Sequence, residues 1–279
     1  MNNKLEFKNP SVSQRIKGML KVDFYRLFHT PLFYIFLGIA AIIPALVSMG
    51  MSTTDPITGE ITGSSLKNIW IMVVAQSPLY VVSDISEYAN MNMVFIFGGI
   101  MVSIFIGHDY KSGYVKQLFT THAKKQDYMI SKSLSCAFAI VCMCITYLIG
   151  TIASGLFNQI SFSVNIGSLI LAIFGKIAMS LGWASLYTFL NIIFRRYFGV
   201  SIASSFFFGT GIIIIGAGAI IDSLSLNSSI LNIFLYGSSV NACLDSNILT
   251  LLTCIGISML WTLIYNILGT YILNNSDVY

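Results

Sequence analysis

The sequence predicts an all-α integral membrane protein with six transmembrane helices. Of its 279 residues, 56% are hydrophobic and only 9% are charged, against roughly 25% charged residues in an average soluble domain. Six apolar runs are long enough to cross the hydrocarbon core of a bilayer, which takes about 20 residues in a helix. The charges lie in short blocks between these runs. This pattern excludes a water-soluble globule.

The first element is an amphipathic helix in front of the first apolar run. Ser13 is a candidate N-cap for a helix that ends near Thr30, with apolar side chains on one side and basic side chains mostly elsewhere. Such a helix is expected to lie in the membrane interface. Because Asp23 falls on its apolar face, we expect Asp23 either to pair with a nearby base such as Arg26 or to face another part of the protein.

The six spans are expected to form one transmembrane domain, residues 31–279, behind a cytoplasmic tail and interfacial helix at residues 1–30. The expected bounds of the spans are 31–51, 91–107, 133–157, 166–194, 198–221 and 248–273. Pro44 is expected to kink the first span. No small-residue cleavage site accompanies this span, so we expect it to remain in the mature protein rather than to act as a cleaved signal peptide.

The basic residues indicate which side of the membrane each end faces. Of the 15 Lys and Arg residues, 13 lie before the first span, between the second and third spans, or between the fourth and fifth. The opposite loops contain Lys67 together with six acidic residues. The positive-inside rule therefore predicts a multi-pass protein of the plasma membrane with both termini in the cytoplasm. Topology accounts for the basic excess, so no nucleic-acid partner is expected.

The outer loops contain apolar stretches of their own. Residues 53–65 read as a polar turn region, whereas residues 66–82 are apolar. A seventh span at 66–82 would move the five-lysine loop outside, so we expect an outer-surface or re-entrant helix there. Residues 221–247 resemble this segment, with an apolar centre at 230–236. Short helices are therefore predicted on the outer face.

The chain has no motif for nucleotide binding or catalysis. A P-loop requires G-x-x-x-x-G-K-[ST], but Gly175 and Lys176 are followed by Ile177 within a span. The sequence contains no H-E-x-x-H or G-x-S-x-G motif, and no paired carboxylates in the spans. The five cysteines are an odd number and define neither a disulfide framework nor a metal site. We expect a chain that is not itself an enzyme and that has no metal or cofactor of its own.

Lys176 is the ionisable residue that lies deepest in a predicted span, roughly 15 Å from its outer end at 1.5 Å per residue. A charge in a span is a candidate functional group, here for a substrate path. Its partner would be a helix carboxyl terminus, an outer acid such as Asp222, or an aromatic face. The alternative interpretation is that the side chain extends to the outer headgroups.

Small residues in the second and fifth spans would let helices approach closely. They are Gly98, Gly99, Ser103, Gly107, Gly209, Gly211, Gly216 and Gly218. Packing within one chain, contact with a second copy and a wall of a translocation path all remain open.

The loop at residues 108–132 resembles the loop between the second and third spans of ABC-two type ABC exporter permeases. There an acidic residue, a glycine, a short hydrophobic helix and a basic turn precede a lysine at the start of the next span. The resemblance makes Asp109 the acid, Gly113 the glycine and Lys132 the lysine. It makes Tyr114, Val115, Lys116, Gln117, Leu118 and Phe119 the coupling helix, which in that family contacts the ATPase subunit. His108 stands where a second acid is frequent, and Lys124 and Lys125 stand where an arginine is frequent.

Other parts of the chain are similar to the same family. The helix at 20–28, with Asp23 inside it, resembles the family's amphipathic helix before the first span, and residues 274–278 resemble its short polar tail. The resemblance implies a permease that acts with a second copy or a sister permease and with two copies of an ABC ATPase, which would bind ATP and magnesium. The expected substrate is amphipathic or hydrophobic, with a toxin or antimicrobial peptide considered first and a drug or lipid second.

Two other classes stay open from the residues alone. An ion-driven secondary carrier would usually have carboxylates or other polar groups at the midplane of the membrane. A non-transporting sensor or immunity subunit would bind a peptide outside and signal through the basic loop.

Overall fold

The computed structural model of the protein describes residues 11–50, 52–54, 61–64, 68–74, 91–120, 123–225, 228–244 and 247–275. These residues are helical apart from irregular connections and one short antiparallel pair of strands, β1 (Ser52–Thr54) and β2 (Ile61–Ser64). Six segments within them are long and apolar enough to cross a membrane. The predicted fold class is therefore confirmed as an all-α bundle with six candidate spans.

The helices follow in chain order. They are α1 (Val12–His29), α2 (Pro31–Gly50), α3 (Met93–Lys111), α4 (Tyr114–Thr120), α5 (Lys125–Phe157), α6 (Ile166–Ile193), α7 (Phe198–Gly209), α8 (Ile212–Ser223), α9 (Leu235–Leu244) and α10 (Ile248–Asn274). Two 3-10 turns lie at Ile69–Met72 and Ser228–Ile233. We call the end of the bundle that carries α1, α4 and the α6–α7 turn the basic end.

The N-cap of helix α1 is Ser11, two residues before the predicted cap. The Ser11 hydroxyl accepts a hydrogen bond from the Gln14 amide at 3.3 Å, and the Gln14 side chain accepts one from the Ser11 amide at 3.0 Å. This reciprocal pair is a capping box. Ser13, the predicted cap, lies inside the first turn because a serine followed three residues later by glutamine satisfies two terminal amides at once.

The second and third spans extend further toward the basic end than predicted. Helix α3 continues to Lys111, and α5 begins at Lys125 rather than at residue 133. Polar residues in these added turns form ion pairs with neighbouring elements, so they do not need to leave the helix. The loop predicted at 108–132 is consequently helical over most of its length.

The fifth span is broken at its centre. Two helices of 12 residues each, α7 and α8, meet at Thr210 and Gly211. Gly211 has a φ of +68°, and a Cβ there would overlap the ring of Tyr236. A left-handed residue ends a helix. The apolar run at 198–221 gave no sign of this break, because hydropathy does not report backbone conformation.

The outer segments are only partly described. The segment predicted as a helix at 66–82 forms the 3-10 turn at Ile69–Met72, and residues 75–90 lie outside the described residues. The segment at 221–247 contains the turn at Ser228–Ile233 and then α9. Residues 53–65 were predicted as a turn region, and the described part of them contributes to the β1–β2 pair.

Helices α3, α5 and α6 form the centre of the bundle. About half of the most apolar stretch of each is buried (56%, 50% and 56%), against 22% for the fifth span and 17% for the sixth. The glycines at 99, 107 and 209 contact side chains or backbone of this same chain, whereas a Cβ on Gly216 would meet nothing within 4 Å. A Cβ on Gly98 would likewise meet Ile140, and one on Gly211 would meet the ring of Tyr236. Packing within one chain thus accounts for five of the predicted glycines, whereas Gly216 has no such contact among the described residues.

Candidate functional site

A cluster of four charged side chains joins α1, α3 and α5 at the basic end. Lys132 Nζ lies 2.5 Å from Asp23 Oδ1 and 2.6 Å from Asp109 Oδ2. Arg26 Nη2 lies 2.5 Å from Asp109 Oδ1. The Ser131 hydroxyl donates to the other oxygen of Asp23 at 2.7 Å. We call Asp23, Arg26, Asp109 and Lys132 the charge cluster.

The charge cluster has two positive and two negative side chains, and all of them except Arg26 are buried. The Lys132 and Asp109 side chains are 0% exposed, and Asp23 is 3% exposed. Removing one partner from a buried ion pair leaves an uncompensated charge and costs about 3–5 kcal/mol. Two carboxylates and two cations together avoid that cost. The cluster therefore fixes the positions of three helices more specifically than an apolar contact would.

Of the two alternatives predicted for Asp23, the structure shows the one in which Asp23 faces another part of the protein. Asp23 contacts Lys132 and Ser131 of α5, while Arg26 pairs with Asp109 of α3. The expected pairing of Asp23 with Arg26 is therefore wrong. The apolar face of α1 packs on two spans. Its acidic residue Asp23 pairs with α5, and its basic residue Arg26 pairs with α3.

Aromatic rings surround the cations of the cluster. Arg26 Cζ lies 4.3 Å from the centroid of the Tyr114 ring, and Lys132 Nζ lies 4.7 Å from that of Phe105. Burial lowers the pKa of Arg26, but the neighbouring Asp109 carboxylate outweighs it and the net shift is upward. Burial raises the pKa of Tyr114. Arg26 thus remains charged and Tyr114 remains neutral at physiological pH.

Helix α4 follows the cluster directly in the chain. Gly113 adopts a φ of +72° and turns the chain from α3 into α4. Val115 is buried, and Leu118 and Phe119 pack with it against a small apolar cluster of Tyr128, Met129, Ile192 and Leu273. Lys116 and Gln117 are exposed. The six residues predicted for this helix therefore divide into a face packed on the bundle and a face open to contact.

Helix α1 has a second attachment to α5 that the sequence analysis missed. Arg15 Nε lies 2.6 Å from Asp127 Oδ2, and the Asp127 side chain is 4% exposed. These two residues are 112 positions apart in the chain. No local sequence pattern identifies a pair so far apart in the chain. The available signal was that Asp127 is an acidic residue in the first turn of a long helix.

Lys176 lies far from the charge cluster and is completely buried. Its Nζ donates to the carbonyl of Ser239 at 2.5 Å and to the side chain of Asn92, and it lies 5.8 Å from the centroid of the Phe95 ring. The interpretation that Lys176 extends to the headgroups is therefore wrong. The aromatic face expected as one partner is present, and the side chain of Asp222 lies outside the described residues. Lys176 links α3, α6 and α9.

An aromatic cavity of about 220 Å³ lies beside the break in the fifth span. Its walls include Trp183, Phe208, Tyr236, Trp261 and Tyr265. The indole of Trp183 donates to the Ser239 hydroxyl, and that of Trp261 donates to the Ile233 carbonyl, each at 2.8 Å. With these polar atoms satisfied, the rings present apolar surface to the cavity. It is suited to an apolar group.

Among the described residues, no group of three or more His, Cys, Asp or Glu side chains could hold a metal ion. Neither the comparison with protein-family models nor the comparison with curated proteins finds a match for this chain.

Proposed function

We propose that the chain is the permease subunit of an ATP-driven exporter of the ABC-two type. It would act with a second copy or a sister permease and with two copies of an ATPase subunit. The observation that supports this proposal is α4, a short helix at one end of the bundle whose apolar face packs on α5. It lies next in the chain to the buried charge cluster that joins α1, α3 and α5. Because the chain has no P-loop, ATP and magnesium would bind to the ATPase.

The charge cluster supplies the mechanical connection that such a permease needs. A force applied to Lys116 and Gln117 would pass through the packed face of α4 to Tyr128 and Met129 of α5. Asp109 and Lys132 are paired at 2.6 Å, so α3 and α5 would move with α4 as one body. Asp23 and Arg26 would carry α1 with them. In this proposal Asp109, Gly113 and the exposed face of α4 couple ATP hydrolysis to the spans.

The proposed orientation has the basic end in the cytoplasm of a cell bounded by the plasma membrane. The 13 basic residues predicted on one side support it through the positive-inside rule. The ATPase would then meet α4 from the cytoplasm, with both termini on the same side.

The proposed substrate is amphipathic or hydrophobic, and a toxin or antimicrobial peptide is the first to test. The aromatic cavity at the break in the fifth span supports an apolar cargo, which also keeps drugs and lipids as alternatives. Lys176 is bonded inside the bundle and has no part in the proposed path.

The test is co-expression of the tagged chain with a candidate ABC ATPase from the same genome, followed by purification and ATP hydrolysis with and without amphipathic peptides. We expect a stable complex whose hydrolysis rises with peptide. Lys116→Glu, on the exposed face of α4, should reduce the amount of ATPase recovered. The matched variant Lys21→Glu, at an exposed position of α1, should not. Absence of any ATPase in the complex would contradict the proposal and favour a carrier or a sensor.

A further inference from the structure

Another cavity, separate from the aromatic cavity, lies at the basic end, and three of its lining residues are cationic. It has a volume of about 160 Å³ and lies between the last turn of α3 and the α6–α7 turn. Lys111, Arg195 and Arg196 line it, and no described residue of its lining is acidic. Two separate elements thus bring three positive charges to one concave site.

Three described carboxylates at the basic end have cationic partners outside the cavity. Asp23 and Asp109 belong to the charge cluster, and Asp127 pairs with Arg15. Asp109 is close to Lys111 in the chain, yet its two oxygens face Arg26 and Lys132. These three acids are therefore paired with cations other than Lys111 and Arg196.

One wall of the cavity is aromatic. Lys111 Nζ lies 4.1 Å from the centroid of the Phe198 ring. Phe198 lies directly against Gly107, where a Cβ would overlap the ring. The Ser201 hydroxyl donates to the side-chain oxygen of Asn191, and both residues also line the cavity. The lining thus combines cationic side chains with an aromatic ring.

The position of the cavity matches the headgroup level of a membrane. Arg196 is exposed at the end of α6, and Phe198 begins the next span. Tyr197 between them is 67% exposed. Exposed aromatic residues and arginines at the ends of spans are typical of the lipid–water interface. Basic pockets between transmembrane helices bind phosphorylated lipid headgroups.

We propose that this cavity binds the phosphate of an anionic phospholipid headgroup through Lys111 and Arg196. Arginine suits a phosphate because its planar guanidinium donates two parallel hydrogen bonds. A bound headgroup would bridge α3 and the α6–α7 turn and so stabilise the basic end. A free phosphate ion has the same chemistry, but the headgroup level to which this end of the spans belongs is rich in lipid phosphates. The proposal does not depend on transport.

The test measures lipid binding to the purified full-length chain by native mass spectrometry during titration with phosphatidylglycerol or phosphatidylcholine. The variant Lys111→Gln/Arg196→Gln removes two charges from the cavity. The matched variant Lys21→Gln/Lys124→Gln removes two exposed charges from the same end but outside the cavity. We expect saturable binding of phosphatidylglycerol in preference to phosphatidylcholine, weakened about tenfold or more by the first pair. The matched pair should change it by less than about threefold.

A parallel thermal-unfolding series separates the two sources of phosphate. Phosphatidylglycerol should raise the Tm of the wild-type chain and of the matched variant but not that of the cavity variant, and inorganic phosphate should neither raise the Tm nor compete. Equal loss of binding in both variants would overturn the proposal in favour of general attraction to the basic end. Stabilisation by inorganic phosphate alone would overturn it in favour of a free-ion site. The Tm of each variant without lipid identifies any that fails to fold.

Discussion

At the scale of single residues, Lys132 shows how one side chain determines a local arrangement. It lies at the start of a span, yet it is fully buried because two carboxylates from different helices surround its ammonium group. Its identity as a candidate came from a resemblance, but its partner Asp23 lies 109 positions away in the chain. Helical periodicity identified Asp23 as a misfit on an apolar face. It could not identify the partner, because that depends on how distant helices pack.

Lys132→Gln should destabilise the protein by about 3–5 kcal/mol, because Asp23 and Asp109 would keep only the charge of Arg26. Thermal unfolding in detergent measures the effect. Lys124→Gln removes an exposed lysine from the same region and should be close to neutral. Adding Asp23→Asn to Lys132→Gln should recover part of the loss, since it removes the carboxylate left without its main partner. Equal unfolding temperatures for the two single lysine variants would show that the cluster does not contribute.

At the scale of secondary-structure elements, the joints between helices depend on backbone conformations that hydropathy does not encode. The left-handed residues Gly113 and Gly211 each end one helix and start another. The first joint was anticipated because its glycine forms part of a recognisable loop. The second was not, because Gly211 lies inside a continuous apolar run. Element bounds also shifted at Lys125, where paired charges let a helix extend beyond its apolar stretch.

Gly113→Pro should abolish export while leaving membrane insertion intact. Proline fixes φ near −65°, whereas residue 113 needs a φ of +72°. Gly113→Asn should retain most activity, because asparagine tolerates the left-handed conformation and no atom lies within 4 Å of an added Cβ. Transport in reconstituted vesicles compares the two. Full transport by the proline variant would argue against a coupling role for α4.

Gly150→Ala should destabilise the crossing of α2 and α5. A Cβ at residue 150 would overlap the backbone carbonyl of Ala41, which cannot move without displacing α2. We expect a loss of about 1–3 kcal/mol, the range for an overpacked core. Gly38→Ala on α2 is the matched control, because its Cβ would meet nothing within 4 Å. A Tm for Gly150→Ala at or above that of Gly38→Ala would contradict this close approach of the two helices.

At the scale of the whole molecule, the length and order of the apolar runs predicted the six candidate spans. The burial of those spans was not predictable: the second, third and fourth are central, while the fifth and sixth expose most of their apolar surface. All six have similar hydropathy, so a sequence in which every span is apolar gives little indication of which helix faces lipid and which faces protein. Burial follows from packing, to which Gly99 and Gly107 contribute.

The proposed orientation predicts opposite accessibility for two exposed positions. In a cysteine-free background, Thr120→Cys at the end of α4 should react with a membrane-impermeant maleimide only after the cells are opened. Ser163→Cys, in the connection between α5 and α6, should react in intact cells. The reverse pattern would contradict the positive-inside assignment, and reaction of both positions in intact cells would contradict a connection across the membrane by α5.

The separation of Asp23 from Lys132 has a consequence for biosynthesis. Helix α1 leaves the ribosome before α5, so its buried carboxylate cannot meet Lys132 until 109 further residues have been added. At 5–20 residues per second that interval is about 5 to 20 s. During this interval the carboxylate of Asp23 has to remain in contact with water. Helix α1 therefore cannot take its final position until α5, which contains Lys132, has been synthesised. Although α1 is synthesised before the six candidate spans, it is therefore among the last of these helices to reach its native contacts.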